Sequence, residues 1–543
     1  MPLPRATGLP YAAVHQSEPG ETAVRRRDLL KAAPILALPA YARAAERTLR
    51  FVPQANLSSL DPVWTTATVA VNHSYMVYDT LYGIDRTGEC QPQMCAGHEV
   101  TGDELTWTLT LRDGLLFHDK EKVRAQDCVA SIKRWAMKDP FGQQLMLTTN
   151  EMVALDDKRV QIRLKKPFRQ MRYAFGARNL FMMPERMALT KPTDQVKETI
   201  GSGPFKFLPD EFVSGARAAY ARNDAYIPRQ EKPDYFSGGK VANFDRVEWV
   251  VQPDPSTAAS ALQKGETDWV ELPLIDLCPM LRKLPDIRVA VFDPYGWLPI
   301  LALNHLHPPF DNPKLRRALL PAIDQHAFVE AMVGEQADLG RVPAGYFTEG
   351  QAMATHAGLE VLTGPRDLVL AKKLVAESGY KGERVLLMAP SDQPAIGQLS
   401  QVTRELFQKL GLNVDFQVMD WGSMLTKRSN QNPPDQGGWN AFNTNWGGLT
   451  VSNPGSSYPL RGVGRKGWFG WPTDERLEQL REAWFDAPDL ADQKAIAAQI
   501  QLQALESVPY IPLGQFFQPT AFRSDIKDIV AAAIPLFWGV RRG

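Results

Sequence analysis

Cysteine is scarce: Cys90, Cys95, Cys128 and Cys278 are the only four in 543 residues. That excludes a disulfide-built scaffold, and with no C-x-x-C the cysteine-rich zinc and thioredoxin-type motifs are excluded too. Charge of one sign is also lacking, with Lys+Arg and Asp+Glu at 61 each. Residues 1–44 hold six basic and three acidic residues, so the rest of the chain carries 55 against 58. Nothing in that balance supports a nucleic-acid partner, which needs a basic face. No apolar run approaches the ~20 residues that span a bilayer. There is no fixed-period repeat, no low-complexity tract, no phosphate-cradling G-x4-G-K-[ST], no H-E-x-x-H and no G-x-S-x-G.

Three partial motifs carry little. Gly462–Gly467 (GVGRKG) fits G-x-G-x-x-G, but a dinucleotide loop must join an apolar strand to an apolar helix. This one follows Tyr458-Pro459 and runs into Trp468-Phe469-Gly470-Trp471-Pro472, so it is read as a mobile turn. His305 and His307 have no cysteine or carboxylate at ligand spacing and read as structural loop residues. Ser202 lacks the context of a nucleophile elbow. No cofactor or metal is expected.

What is present is a globular composition, 44% hydrophobic and 22% charged, on a chain too long for one ordinary core. The N-terminus carries Arg26-Arg27-Asp28-Leu29-Leu30-Lys31, then an apolar stretch Ala32–Tyr41 and an A-x-A site, Ala42-Arg43-Ala44. That order predicts export by the twin-arginine route and cleavage. The first cysteine after the site is Cys90, so the mature chain is expected free in a periplasm and not as a lipoprotein. Cys90 and Cys95 can close a small loop there, or all four cysteines can remain buried thiols.

The organisation turns on Val289–Asp324. A short apolar strand ends at Asp293-Pro294, a second apolar run covers Leu298–Leu303, and Asn312-Pro313 opens a helix. Asp324 caps the next, which stops at Gly334. Before this stretch, Thr48–Pro53, Thr106–Arg112 and Val160–Leu164 read as strands, with Trp107, Leu109 and Leu111 on one face. Asp254-Pro255 opens a helix ending at Gly265. After it, an αβαβ order predicts a largely parallel sheet: a helix from Asp367, strand Arg384–Met388, a helix through Leu399–Leu410, strand Val414–Val418. Helices follow near 474–485 and 489–507, and Pro509–Phe517 is placed to return the chain to the first half. Trp439, Trp446, Trp468 and Trp471 either staple a loop or wall a pocket. Trp446, amid Asn443-Thr444-Asn445 and Gly447-Gly448, suits a pocket best.

Several of these segments together resemble the solute-binding proteins of ABC importers in family 5, the dipeptide- and oligopeptide-binding group (cluster C). They are LSSLDP (57–62), LTWTLTLRDGLLFHD (105–119), GSGPFKF (201–207), LQKGETDWV (262–270), PPFDNPKLRRALLPAID (308–324), AKKLVAESGY (371–380) and VPYIPLG (508–514). The resemblance implies an α/β, two-lobed periplasmic binding protein fold, with a larger discontinuous first lobe that carries an extra subdomain. The expected division is signal peptide 1–44, lobe I 45–288, lobe II 289–508 and a return to lobe I over 509–543. It also implies a small-molecule ligand enclosed between lobes and handed to an inner-membrane ABC permease by a monomer that performs no catalysis. The competing functions are a twin-arginine-exported enzyme and a non-transport interaction scaffold.

Two departures bear on the ligand. Peptide-binding relatives carry an Asp shortly after the late-loop tryptophan, for the peptide ammonium, whereas Trp446–Pro454 (WGGLTVSNP) has no acid. Dipeptide binders place an Arg after the strand matching Arg384–Met388, where this chain reads Pro390-Ser391-Asp392-Gln393-Pro394. An unpaired buried ammonium or carboxylate costs several kcal/mol, so ordinary zwitterionic dipeptides are disfavoured against opines, sugars, amines or other peptide-like solutes. Lys120, in FHDK where the family has a glycine, bears on the turn. The candidate ligand contacts are Asn56 and Ser58 in the opening loop, Asp392, and Asn443, Asn445, Trp446, Gly447 and Thr450. Asp392 is expected to face a cationic or hydroxyl-rich part of the ligand, with Trp446 stacked beneath it.

Overall fold

The computed structural model describes residues 47–176, 179–191 and 193–543. The expected export segment, 1–44, lies outside them. No helix among the described residues is long and apolar enough to cross a membrane.

Two large sheets form the cores of two α/β lobes. The first sheet has seven strands in the order Phe205–Phe207, Arg217–Arg222, Arg246–Val250, Thr48–Val52, Trp269–Val270, Thr520–Arg523 and Ile287–Ala290. Thr48–Val52 lies at its centre with parallel partners on both sides. Alternation explains the place: Leu49 and Phe51 are fully buried, and the Phe51 ring meets Trp269 and Phe537 edge-on at 5.3 and 5.0 Å. Helix Thr68–Val77 is buried at nearly every position, as its lack of a polar face predicts.

A four-stranded antiparallel sheet, Cys95–Val100, Thr106–Leu111, Arg159–Leu164 and Thr149–Ala154 in that order, forms the extra subdomain of the first lobe. Leu109 and Leu111 are buried as the alternation predicts, while Trp107 is half-buried and stacks on His98 at 5.1 Å. The four cysteines are free and buried, and burial pushes the Cys90 and Cys95 thiols up to about 12. Helix Pro140–Thr148 carries this subdomain against the second lobe, where Phe141 meets Phe485 edge-on at 5.0 Å.

The second sheet runs Gly340–Arg341, Gln515–Phe516, Trp297–Leu303, Ala441–Gly447, Arg384–Pro390 and Asn413–Met419. It is mixed, not largely parallel. The parallel pairings are those of Arg384–Pro390 with Asn413–Met419 and Ala441–Gly447; the pairings of Trp297–Leu303 are antiparallel. The helix Pro394–Lys409 imposes the parallel pairing, because a strand–helix–strand crossover returns the chain in the same direction. Tyr510–Pro512 pairs with Trp297–Leu303, so the expected return at residue 509 is delayed and Thr520–Arg523 is the strand that re-enters the first sheet. The reason is burial: Tyr510 and Ile511 fit the second core, where the Tyr510 ring meets Tyr346 at 4.9 Å.

The chain passes between the large sheets at residues 291–296 and 517–519. The first passage is braced. Gln515 donates to the Tyr295 carbonyl at 2.7 Å, and the Gly448 amide to the Gly296 carbonyl at 2.7 Å. Asp293 accepts from the Tyr295 amide through Oδ1 at 2.9 Å, but its Oδ2 is buried without a partner. Burial raises the Asp293 carboxyl to about 7. A folded-state pKa above the unfolded one stabilises below the unfolded value, and that stabilisation is lost as pH rises through about 7. Burial holds His73, His118 and His305 low, and their effect runs the other way. The clean observable is therefore a difference. Asp293→Asn should come closest to the wild type in melting temperature below pH 4 and exceed it by several degrees at pH 8, the gap opening between the ordinary carboxylate range and about 7; an equal difference at both pH values would refute the assignment.

Candidate ligand-binding site

A cleft of about 1460 Å³ opens between the two lobes. From the first lobe it receives Gln54–Val71 in part, and from the subdomain the start of helix Pro140–Thr148. From the second lobe it receives Gln393, the helix Trp421–Lys427 with the turn after it, the end of strand Ala441–Gly447, and the loop 458–469.

Each wall is held by local chemistry. Asp61 fixes the opening loop by accepting from the Val63 and Val196 amides at 2.9 Å each and from Arg134. Behind that wall, the Glu271 carboxylate accepts from the Gln54 amide at 2.7 Å, the Gln54 side chain at 2.8 Å and Asn72 at 2.8 Å. Burial raises Glu271 to about 7, against those hydrogen bonds. Gln393 crosses the cleft, its Nε2 donating to the Gln54 carbonyl at 3.1 Å.

The residues expected in the site divide. Ser58, Asn445, Trp446, Gly447 and Thr450 line the cleft. Asn445 Oδ1 and Trp446 Nε1 are buried there without a protein partner. Asn56, Asn443 and Asp392 are not among the lining residues. Asn56 instead accepts from the Gly215 amide at 2.7 Å. Asn443 is fully buried two residues deeper in its strand than Asn445, its Nδ2 3.5 Å from the Ile300 carbonyl. Asp392 accepts from the Trp421 amide at 2.7 Å, so it secures the start of helix Trp421–Lys427, and its neighbour Gln393 faces the cleft. Trp446 packs among other rings. It stacks on Tyr458 at 5.8 Å and 11° and meets Trp468 edge-on at 5.1 Å.

The tryptophans split likewise. Trp439 and Trp471 are core, packed together at 5.5 Å, whereas Trp446 and Trp468 wall the cleft. The GVGRKG loop also contributes, through Val463, Lys466 and Gly467, so it is a wall of the cleft and not a detached turn. His305 is half-buried and His307 Nε2 lies 2.8 Å from the Gln431 carbonyl. Among the described residues no group of three His, Cys, Asp or Glu is placed to hold a metal.

Charge in the cleft is one-sided. Among the described residues, Lys138, Lys427, Arg428, Arg461 and Lys466 line it, against Asp139 alone. Asp139 is engaged, accepting from the Phe141 and Gly142 amides at 2.8 and 3.3 Å and from the Tyr458 hydroxyl at 2.7 Å. Arg461 pairs with Glu478 at 3.0 Å, and Lys427 donates to Gln417 at 2.9 Å. Arg428 is buried, enters no ion pair among the described residues, and lies over the Phe469 ring at 4.5 Å; burial lowers it to about 9. Sequence reading passed over Arg428 and Phe469, since Arg428 precedes a polar stretch, Asn430–Gly438, that reads as surface loop.

The profile of "Bacterial extracellular solute-binding proteins, family 5 Middle" matches residues 89–468. The "Probable peptide ABC transporter periplasmic-binding protein y4tO" of Sinorhizobium fredii is 36% identical over 530 residues, covering 96% of this chain and 99% of the relative. The "Glutathione-binding protein GsiB" of Pectobacterium atrosepticum is 24% identical over 447 residues, 80% of this chain and 82% of its own. Among solved structures, the periplasmic binding protein DppA from Helicobacter pylori in complex with peptide STSA superposes with TM-score 0.77 at 21% identity, over 92% of this chain and 99% of its own. AgaA from A. tumefaciens R10, in complex with agropinic acid, superposes with TM-score 0.76 at 21% identity, over 91% and 99%. With two sheet-centred lobes around one cleft, a profile match over more than half its length, and a relative alike from end to end, this chain belongs to the family 5 bacterial extracellular solute-binding proteins.

Proposed function

We propose that the protein is the periplasmic solute-binding component of an ABC importer, capturing a small polar organic solute between its lobes for delivery to an inner-membrane permease. The observation that carries this reading is the large cleft whose walls come from both lobes, next to the two chain passages seen among the described residues. A ligand touching both walls binds the closed form more tightly than the open one and shifts the population toward it. Moving closure from 1:99 to 99:1 takes roughly 5.5 kcal/mol of differential binding. A few charge-assisted hydrogen bonds and a stacked ring are of that order.

In this reading lobe I is 45–288 with the C-terminal return, lobe II follows from 289, and the halves pivot at 291–296 and 517–519. Ser58, Asn445, Trp446, Gly447 and Thr450 contact the solute, which the protein releases unchanged as a monomer. The relatives' names point to peptide-like solutes, and agropinic acid in AgaA widens the range to opines. Twin-arginine export is read from Arg26-Arg27, and the double variant Arg26→Lys/Arg27→Lys should leave the precursor in the cytoplasm; normal periplasmic yield would refute that route.

The test is a melting-temperature screen of peptides, opines, sugars and amines, followed by small-angle scattering with each hit. A ligand that binds only the native state raises the midpoint. A fall in radius of gyration with such a ligand is expected. A protein that melts at one temperature with every compound and never contracts is not a solute trap.

A further inference from the structure

We propose that the solute is an organic acid in the broad sense, an acidic peptide-like or opine-like molecule, whose carboxylate is held by Arg428 over the ring of Phe469. This rests on the solute-binding reading above and names its ligand class.

Arg428 stands out by what it lacks. It lines the cleft from the end of helix Trp421–Lys427, yet its Nε is buried with no acceptor and it enters no ion pair among the described residues. Every other buried arginine of the second lobe is spoken for. Arg316 donates to the Ser507 and Phe310 carbonyls, and Arg481 to the Pro454 and Gly455 carbonyls. A guanidinium mostly removed from water, with no acceptor at its Nε, is costly, and where it lines a cleft it suits an anion that arrives later. The planar fork suits the two oxygens of a carboxylate.

The rest of the cleft agrees. Lys138, Lys427 and Lys466 add positive charge, and the one lining carboxylate, Asp139, is occupied by two amides and Tyr458. No acid follows Trp446 to receive an ammonium. Residues Thr65–Val69 bring the N-terminal end of helix Thr68–Val77 to the opposite wall, and its N-cap residue, Ala67, offers no side-chain acceptor to the first-turn amides. That end favours negative charge as well. The rings of Trp421, Trp446, Tyr458 and Trp468 leave apolar area for the body of the ligand.

A purely structural role makes a different prediction. The backbone carbonyl of Arg428 accepts from Trp439 Nε1 at 3.0 Å, and any substitution keeps that bond. Arg428→Met retains length and contact with Phe469 while deleting the charge. Its ligand-free melting temperature is expected to equal or exceed the wild type, because an unpaired buried charge has been removed. A fall of several degrees would show that the arginine serves the fold and would overturn the proposal.

Binding supplies the second arm, by calorimetry with matched probes: glutathione and an acidic tripeptide, each against its carboxamide. Wild type should prefer the acids, and Arg428→Met should weaken the preferred acid about 30-fold or more, the expected loss on truncating one partner of a buried charge pair. The carboxamides should bind both proteins alike. Acids held equally by both proteins, or a screen whose hits are neutral or cationic, would overturn the acid assignment and leave solute binding standing. Absence of any hit together with absence of contraction in scattering would end both.

Discussion

Alanine in place of Arg134 or Asp61 should lower unfolding free energy by about 3–5 kcal/mol, the range for leaving one buried charge uncompensated. Both side chains are 1% exposed. Two parallel bonds join them, Arg134 Nη1 to Asp61 Oδ1 at 3.0 Å and Nη2 to Oδ2 at 2.7 Å. Arg134 also donates to the Thr190 carbonyl at 2.9 Å and the Asp194 carbonyl at 3.2 Å. The pair thus ties three segments: the opening loop, helix Ala125–Ala136 and the stretch 190–196. Since that loop presents Ser58, Ser59 and Trp64 to the cleft, ligand affinity should fall along with stability. The double variant Asp61→Asn/Arg134→Met should lose less than the sum of the two alanine variants, because no lone charge remains. Urea titration measures all three; single losses below 1 kcal/mol would mean that the pair is open to water.

Phe141→Ala is the second large effect, expected at about 3–5 kcal/mol from lost transfer energy and the cavity left behind. Phe141 is fully buried where the subdomain meets the second lobe, with Tyr173 at 5.2 Å and Phe485 at 5.0 Å between ring centroids. Gly455 marks how tight the contact is: a Cβ there would lie 2.5 Å from Phe141 Cε2. The same seam holds the Tyr458–Asp139 bond and Arg461 on Gln143 at 2.9 Å. Losing the ring should therefore expand the ligand-free protein in scattering as well as destabilise it in guanidinium. A variant as compact and as stable as the wild type would show that the ring does not join the two parts in solution.

Local structure was legible wherever its cause was local. Asp254, Asn312, Asp324, Asp367, Asp474 and Asp489 each accept from an amide two or three residues ahead, and each was readable as a helix start. Gly265 ends its helix at φ +73°, a conformation that glycine adopts without a steric penalty. The strand alternation of Thr48–Val52 and Arg159–Leu164 was equally plain. The lining of the cleft was half legible. Trp446 and Asn445 stood out by composition, but Asp392 looked equally apt and turned out to hold the Trp421 amide.

By itself, then, the sequence determined many of the helices and strands and the two-lobed α/β fold, because caps, turns and periodicity act within a few residues. Only the tertiary structure decided which of four tryptophans line the cleft, which strands pair in parallel, and that Arg428 is buried beside Phe469 with its charge unmet. The physical reason is that burial and pairing depend on partners tens to hundreds of residues away, and no short stretch of chain records what will cover it.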